Sequence, residues 1–576
     1  MDFNNMFNNG QKNNQENNQG KQVNFGNRKP GSQKNFKEMW AELKKSAGDR
    51  DKKRKGLNPL IILAITLVIM FIYFFATLPA LNLMAPEFYA FLVMAVLVFN
   101  GLNMILGSLG IFKTVRISII ILALLIGIPA IGGFISQPLF RAKAYANLIQ
   151  VDDANFAETV KEITYDKVPV VDREAAAIIG QRQMGSVKEV VSQFEINDNY
   201  TQINVNNIPV RVSPLAYADI IKYFINSKNG IPYYVQVDMA TQEADLIPLV
   251  KPIMYSKSDI LLRNIFRRIR FQHPTKMFGE TNFEVDDSGN AYYITSVLTK
   301  RIGFFNGTDV KGALVTDAST GESTYYDTID VPMWVDRVYP SDMIIQQLDW
   351  RGRFKDGYFN SVIGQKNVTK TTVGYNYIPL NDDIYLFTGV TSIRGDSSNL
   401  GFYFSNSRTK ETKMFSVPSA DEVSAMNSAT GQIQEKNYIP AFPVLLNIKN
   451  RPTYLIGLKD NSGLAKQFAL VDAENYQQVT IGDTVQKVIN EYNLRTDTSG
   501  EPTKDAIEKS IVIADIQTAV IDGNTMYFIR ATNEEMVYVG SAKKLGSGLA
   551  FIKAGDTLKI YGNPLEKQFD ILEVRP

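Results

Sequence analysis

Residues 57–78 read LNPLIILAITLVIMFIYFFATL and carry no charge. About 20 apolar residues in a helix cross roughly 30 Å of hydrocarbon, so this stretch predicts a membrane span. Two more follow. Residues 88–111 hold Asn100 and Asn103 among apolar neighbours, and residues 117–135 form an Ile/Leu run interrupted by Gly127 and Pro129. Amides inside a span serve contacts between helices, which makes Asn100 and Asn103 candidate helix–helix contact residues, and Gly and Pro mark kinks. The first stretch begins after more than fifty residues and has no small-x-small cleavage site, so it does not read as a signal peptide.

Charge orients the spans. Lys52, Lys53, Arg54 and Lys55 directly precede the first one, while the loop after it, PALNLMAPE, has no Lys or Arg. Cationic flanks stay inside, which predicts a cytoplasmic N-terminus, and three crossings then place everything after about Arg141 outside the cell membrane. Lys113 and Arg116, between the second and third spans, fall on the inner side as the rule prefers; Arg141 and Lys143 run mildly against it. Residues 1–35 are dominated by Asn and Gln and are too poor in apolar residues to offset chain entropy, so a disordered cytoplasmic tail is expected. In residues 36–56, Phe36, Met39, Trp40 and Leu43 recur at helical spacing beside Lys37, Lys44 and Lys45, the pattern of an amphipathic juxtamembrane segment.

Composition removes whole classes of chemistry. With no cysteine and a single histidine, His273, the 576 residues cannot build a disulfide, a thiolate site, a Cys nucleophile or the usual His-based zinc and triad sites by themselves. Residues 1–56 carry 13 Lys/Arg against 6 Asp/Glu, so the overall charge of +2 hides an acidic remainder. That balance argues against a nucleic-acid partner.

The outer region, residues 145–500, reads as α+β. Residues 147–194 look helical, with Phe156, Val160 and Ile163 on one stripe and REAAAIIGQR (173–182) rich in helix formers. From residue 195 the period falls towards two, and YTQINVNNIPVRV (200–212) predicts a hairpin about an Asn-Asn turn. Residues 505–576 hold five short strand candidates between Gly/Asp/Asn turns, as in a small closed barrel of OB or SH3 type, after the polar linker LRTDTSGEPTKD. The expected fold is therefore an α+β membrane protein: three transmembrane helices, a mainly antiparallel β multi-module outer region, and an OB/SH3-like barrel.

Several outer segments resemble one another. NGIPYYVQVD (229–238), SGNAYYITSV (288–297), KNRPTYLIGLKD (449–460) and DGNTMYFIRA (522–531) each place a turn before an aromatic strand. GALVTDASTGES (312–323) and KQFALVDAENYQQ (466–478) end a strand in an acidic turn. This grammar resembles that of PepSY-like modules, which implies extracytoplasmic units that bind or restrain partners. NDDIYLFTGVTS (381–392) and FPVLLNIKNRPTYLIGLKDNSGLAK (442–466) also resemble uncharacterised membrane-anchored envelope proteins of low-GC Gram-positive bacteria, some labelled cell-shape-determining.

Candidate chemistry is sparse. SDILLRNIFRRIRF (258–271) predicts a basic amphipathic helix whose Arg263, Arg267, Arg268 and Arg270 are candidate contacts to lipid head groups or a partner, against the plainer reading of a solvated face. His273 at its end reads as a capping residue. Asp286, Ser288 and Asn290 have calcium-loop spacing without the terminal Glu, which favours a hairpin turn. Ser407/Lys410 and Ser541/Lys544 match Ser-x-x-Lys by chance spacing, and the pairs Asp382/Asp383 and Asp421/Glu422 read as solvated turns. The GSG at 546–548 precedes no helix. The expectation is a non-enzymatic binding or scaffold protein of a bacterial envelope, without cofactor or metal. Its expected partners are the bilayer and an envelope protein or wall polymer. The alternatives are an accessory subunit of a transport or secretion complex, joined through Asn100 and Asn103, and a glycan-cleaving enzyme with a deep acidic cleft.

Overall fold

The computed structural model describes residues 56–107, 109–162, 164, 167–185, 187–197, 199–394, 398–498, 506–521, 524–546, 551–564 and 568–575. The tail, the juxtamembrane segment up to residue 55, and most of the polar linker lie outside them, as do Ile163 and two residues of the GSG. Two compact units result: residues 57–66 with 97–121, and residues 67–96 with 122–575.

Three helices, α1 (Pro59–Thr77), α2 (Pro86–Leu106) and α3 (Ile111–Ile135), are long and apolar enough to cross a membrane. Pro59 and Pro86 open the first two, at the position where a missing N–H costs nothing. The expected 88–111 segment stops early, at Leu106, and Gly107 forms a bridge with Leu57. The expected 117–135 segment starts early, where the Thr114 N–H bonds to the Gly110 carbonyl at 3.1 Å. Positions 113 and 116 therefore sit in the first turns of α3 rather than in a loop. The helical stripe expected at Phe156 shrinks to one turn, Phe156–Thr159, with Phe156 and Val160 buried in a later core.

After the short helix α4 (Pro138–Ala146) and α5 (Arg173–Met184), the chain builds one unit four times. Module 1 is β1 (Thr201–Val205), β2 (Ile208–Tyr217), β3 (Ile231–Asp238) and β4 (Ala244–Ile253), with α6 (Ile220–Asn226) between β2 and β3. Helix α7 (Ile265–Gln272) leads into module 2, made of β5 (Met277–Val285), β6 (Ala291–Ile302), β7 (Asn306–Asp317) and β8 (Ser323–Asp327). Module 3 follows α8 (Ser341–Phe354) with β9 (Asn376–Leu380), β10 (Asp383–Ser392), β11 (Gly401–Asn406) and β12 (Thr412–Phe415). Module 4 follows α9 (Glu422–Gly431) with β13 (Val444–Ile448), β14 (Arg451–Lys459), β15 (Ala465–Asp472) and β16 (Val479–Gly482). In each, the four strands pair antiparallel in chain order.

Turn chemistry fixes this topology. The first two strands of modules 1, 3 and 4 are joined by two residues, Asn206-Asn207, Asn381-Asp382 and Lys449-Asn450, with both φ positive at 50 to 71°. Such turns match the strand twist and favour Asn and Asp. Asp286–Asn290 replaces them in module 2, with Asp286 Oδ1 accepting the N–H groups of Ser288 and Asn290, so this is the expected hairpin turn. After the third strand, Asp238, Asp317, Asn406 and Asp472 each accept the backbone N–H groups two and three residues on. The next residue in each then donates to the start of the second strand: Met239 to Pro209, Ala318 to Ala291, Ser407 to Ile384, Ala473 to Pro452. Of the segments alike in sequence, NGIPYYVQVD is thus a third strand while SGNAYYITSV is a second strand, and DGNTMYFIRA belongs to the barrel.

Both faces of the inner sheets are buried, so neighbouring residues serve different cores. Tyr293 faces module 1, whereas Ile294 packs with Ile344 and Leu348 of α8 and with Leu386 of module 3. Phe387, next in sequence, faces α9 and module 4. Module 4 returns to module 1 through Lys459, paired with Asp172, and Leu464, which packs on the first core. After α10 (Val485–Thr498), five strands, β17 (Ile507–Ile521), β18 (Asn524–Ala531), β19 (Val537–Ser541), β20 (Thr557–Pro564) and β21 (Gln568–Arg575), close a barrel around Ile529, Tyr538, Ile560 and Phe569.

Candidate functional site

Each module breaks or bulges the strand that leads to its first hairpin. Phe194–Ile196 pairs with the far end of β2 and is separated from β1; Thr369–Thr371 does the same before β9, and Ile439–Pro440 before β13. In module 2 the strand stays whole but bulges between Phe278 and Thr281. Interrupted strands free side chains from the ladder and re-aim them. The three interruptions and the bulge supply Asn199, Tyr200, Glu280, Tyr375, Pro440 and Phe442 to one cavity of about 720 Å³.

Its floor is cationic. Arg211 stands opposite Gln202 in the β1–β2 ladder, donates from Nε to the Val171 carbonyl at 2.9 Å and from Nη2 to Gln202 Oε1 at 3.3 Å. Burial lowers its pKa to about 10. Arg337 lies 4.0 Å over the Tyr377 ring and donates from Nη2 to Tyr377 Oη and to Ser341 Oγ. It is 8% exposed, and its Nε and Nη1 have no hydrogen-bond partner among the described residues; neither has Nε2 of Gln202, a residue 2% exposed. Pro340, Ser341 and Asp342, the N-terminus of α8, line the same cavity, and no side chain caps that helix. Glu174, Glu280 and Asp342 carry carboxylates at the exposed rim, and Asp172 is held by Lys459.

A buried carboxylate pair fixes Arg337 from behind. Glu284, fully buried on β5, accepts the backbone N–H groups of Asp336 at 2.9 Å and Arg337 at 3.0 Å. Asp336 in turn accepts the Asn204 N–H at 2.6 Å. Burial raises Glu284 to about 7, and burial together with the Glu284 charge holds Asp336 well above the usual carboxylate range.

The residues singled out from sequence lie elsewhere. Residues 258–271 do not form one helix: a 3-10 turn, Leu261–Arg263, precedes α7, which Asn264 caps through Oδ1. Its arginines are spent on backbone carbonyls instead of forming an open basic face. Arg267 and Arg270 donate to the Phe75 and Leu78 carbonyls at the end of α1, at 3.2 and 3.0 Å, which satisfies groups a helix terminus leaves open. Arg263 bonds to the carbonyls of Met254 and Ser227 and pairs with Asp259, and Arg268 bonds to Gly321. His273 does end α7. Asn100 donates to Ser118 Oγ at 2.6 Å and Asn103 to Thr114 Oγ1 at 3.3 Å, so both join α2 to α3 of the same chain.

The other pairs prove structural. Asp383 binds Arg408 at 2.8 Å while Asp382 accepts from Asn204. Asp421 caps α9 and Glu422 accepts the Gly389 N–H. Lys410 is engaged by Asp309 at 2.6 Å, and the Lys544 side chain lies outside the described residues. No group of three or more metal-ligating side chains occurs among the described residues. Neither a scan against protein-family models nor a search of curated proteins returns a match. Arg211 and Arg337 escaped the sequence reading. The available signal was a lone arginine inside an otherwise buried strand, as in PVRVS (209–213).

Proposed function

We propose that the chain is a membrane-anchored, non-enzymatic binding or scaffold protein of a bacterial envelope, with its N-terminus in the cytoplasm and its four modules and barrel outside. The observation that carries this reading is the convergence of all four modules on one cavity lined by Arg337 and Gln202, whose buried donors Nε, Nη1 and Nε2 have no hydrogen-bond partner among the described residues, a binding arrangement. Its floor presents guanidinium groups, where a glycan-cleaving site needs two carboxylates facing each other. In this reading α1 to α3 span the bilayer, the modules are PepSY-like, and the barrel is of OB or SH3 type. The partner is an envelope protein or wall polymer.

The membrane part draws on a second feature. Helix α6 turns Ile220, Ile221, Phe224 and Ile225 to the exterior, 54 to 66% exposed, while Tyr223 packs inward on Tyr217. The neighbouring Leu261 and Leu262 are exposed too, and Arg263 ties this segment to the end of α6 through Ser227. Phe271 of α7 packs on Phe71, Phe74 and Phe75 of α1. An apolar face held at the end of a spanning helix belongs in the outer leaflet.

Because the chain lacks cysteine, single cysteines at 71, 224 and 373 can carry a fluorophore in the full chain reconstituted in vesicles. Brominated lipids are expected to quench the labels in Phe71→Cys and Phe224→Cys and to spare Val373→Cys. An unquenched label at 71 removes the membrane reading, and one at 224 alone removes the leaflet contact. Protease added to intact cells should trim the barrel and leave the Asn-rich N-terminus.

A further inference from the structure

We infer that the cavity seats an oxyanion, a carboxylate or phosphate group, carried on a hydroxylated ring such as that of an acidic sugar. The inference rests on the binding reading above and names its ligand class. Three buried donors without a hydrogen-bond partner among the described residues, Arg337 Nε, Arg337 Nη1 and Gln202 Nε2, belong to side chains that line the cavity. Unmet buried donors are costly, and a charged acceptor recovers that cost. Arg211 adds a second buried cation on the same floor.

The N-terminus of α8, which no side chain caps among the described residues, brings the positive end of a fourteen-residue helix to the same space. The charges of Asp172 and Glu280 act on Arg211 and Arg337 across the cavity, but no carboxylate hydrogen-bonds either guanidinium among the described residues. Asp172 is paired with Lys459, Glu280 and Asp342 stand exposed at the rim, and Glu284 is turned to the backbone N–H groups of Asp336 and Arg337.

Size and wall chemistry extend the assignment beyond a bare ion. A cavity of about 720 Å³ far exceeds a single phosphate, and its other lining includes Tyr375 and Phe442 with the amides of Asn199, Asn282 and Asn376. Aromatic faces beside amide groups suit a ring that bears hydroxyls. The rim carboxylates would accept from those hydroxyls while the floor holds the acid.

The test is calorimetry and thermal unfolding of the full chain in detergent at constant ionic strength. The probes are inorganic phosphate, acetate, glucose 6-phosphate and glucuronate. Saturable binding of at least one simple anion is expected, with tighter binding of the matching sugar acid. Arg337→Lys keeps a positive charge but loses the guanidinium donors. Gln202→Glu keeps the acceptor for Arg211 while replacing the free donor with a negative charge. Each is expected to weaken binding about tenfold or more. Simple anions bound with no gain from the sugar would retain the oxyanion seat and discard the ring. No saturable binding of any probe, or equal binding by both folded variants and the parent, overturns the inference while leaving the vesicle quenching result intact.

Discussion

The hairpin turns and the cavity walls are made by the same four modules, yet they differ in what repeats. At the turns the hydrogen bonds recur with changing side chains: Asp238, Asp317, Asn406 and Asp472 do one job, and Met239, Ala318, Ser407 and Ala473 another. At the cavity the backbone interruption recurs while the chemistry changes, from the amide of Asn199 to the carboxylate of Glu280 and the rings of Tyr375 and Phe442. Repetition thus belongs to the scaffold. Divergence at equivalent positions belongs to the site, where one cavity is bounded by four different walls.

If that division is right, losses at the turns should scale with burial, whatever the module. The largest effect is expected at Asp472, which is fully buried and also holds Arg451 and Tyr492 at 3.0 Å each. Asp472→Ala should cost about 4 kcal/mol, whereas Asp238→Ala, which loses only its turn bonds, should cost about 1 kcal/mol. Equal losses in denaturant titrations of the two would break the comparison. Glu284→Ala leaves two buried N–H groups without an acceptor and should cost about 3 kcal/mol.

The same carboxylate gives a pH signature. Folded Glu284 keeps its proton up to about 7 because of burial, and an unfolded Glu releases it near about 4.3. The folded chain therefore binds the extra proton between those values, so stability present at pH 4 is lost as pH rises through 7. The thermal midpoint should fall across that window, and Glu284→Gln should flatten the slope. The smallest effect is expected in the first hairpin, where Asn207 has a φ of 64°. Asn207→Ala should cost about 1 kcal/mol, and Asn207→Gly should be nearly neutral.

Legibility in the sequence followed the range of the interactions. The apolar helices declared themselves because solvation acts residue by residue: Leu57 to Leu78 needs no partner to be read. The hairpin at 200–212, the calcium-like turn at 286–290 and the five closing strands were also readable, since their signals are local. The repeat shows in VTDASTG and VDAEN, but its alignment does not, because YYVQVD and YYITSV share aromatic alternation while occupying different places in their sheets. Its third copy was hidden by Asn406 standing where the others have Asp.

The cavity was not legible. Arg337 matters because β5, α8 and β9 converge on it, and Glu284 and Asp336 lie 52 residues apart. The carbonyl bonds of arginines 263 to 270 were illegible for the same reason. Their amphipathic spacing is real, but the carbonyls of Phe75 and Leu78, which consume Arg267 and Arg270, arrive from 192 residues away.

The most direct trial of the account is an experimental structure of the full chain with phosphate, glucose 6-phosphate or glucuronate bound. The account predicts an oxyanion within hydrogen-bond distance of Arg337 Nε or Nη1 and of Gln202 Nε2, with any sugar ring beside Tyr375 and Phe442. A cavity filled only by water, or an Arg337 whose donors are all met by protein groups, would contradict it.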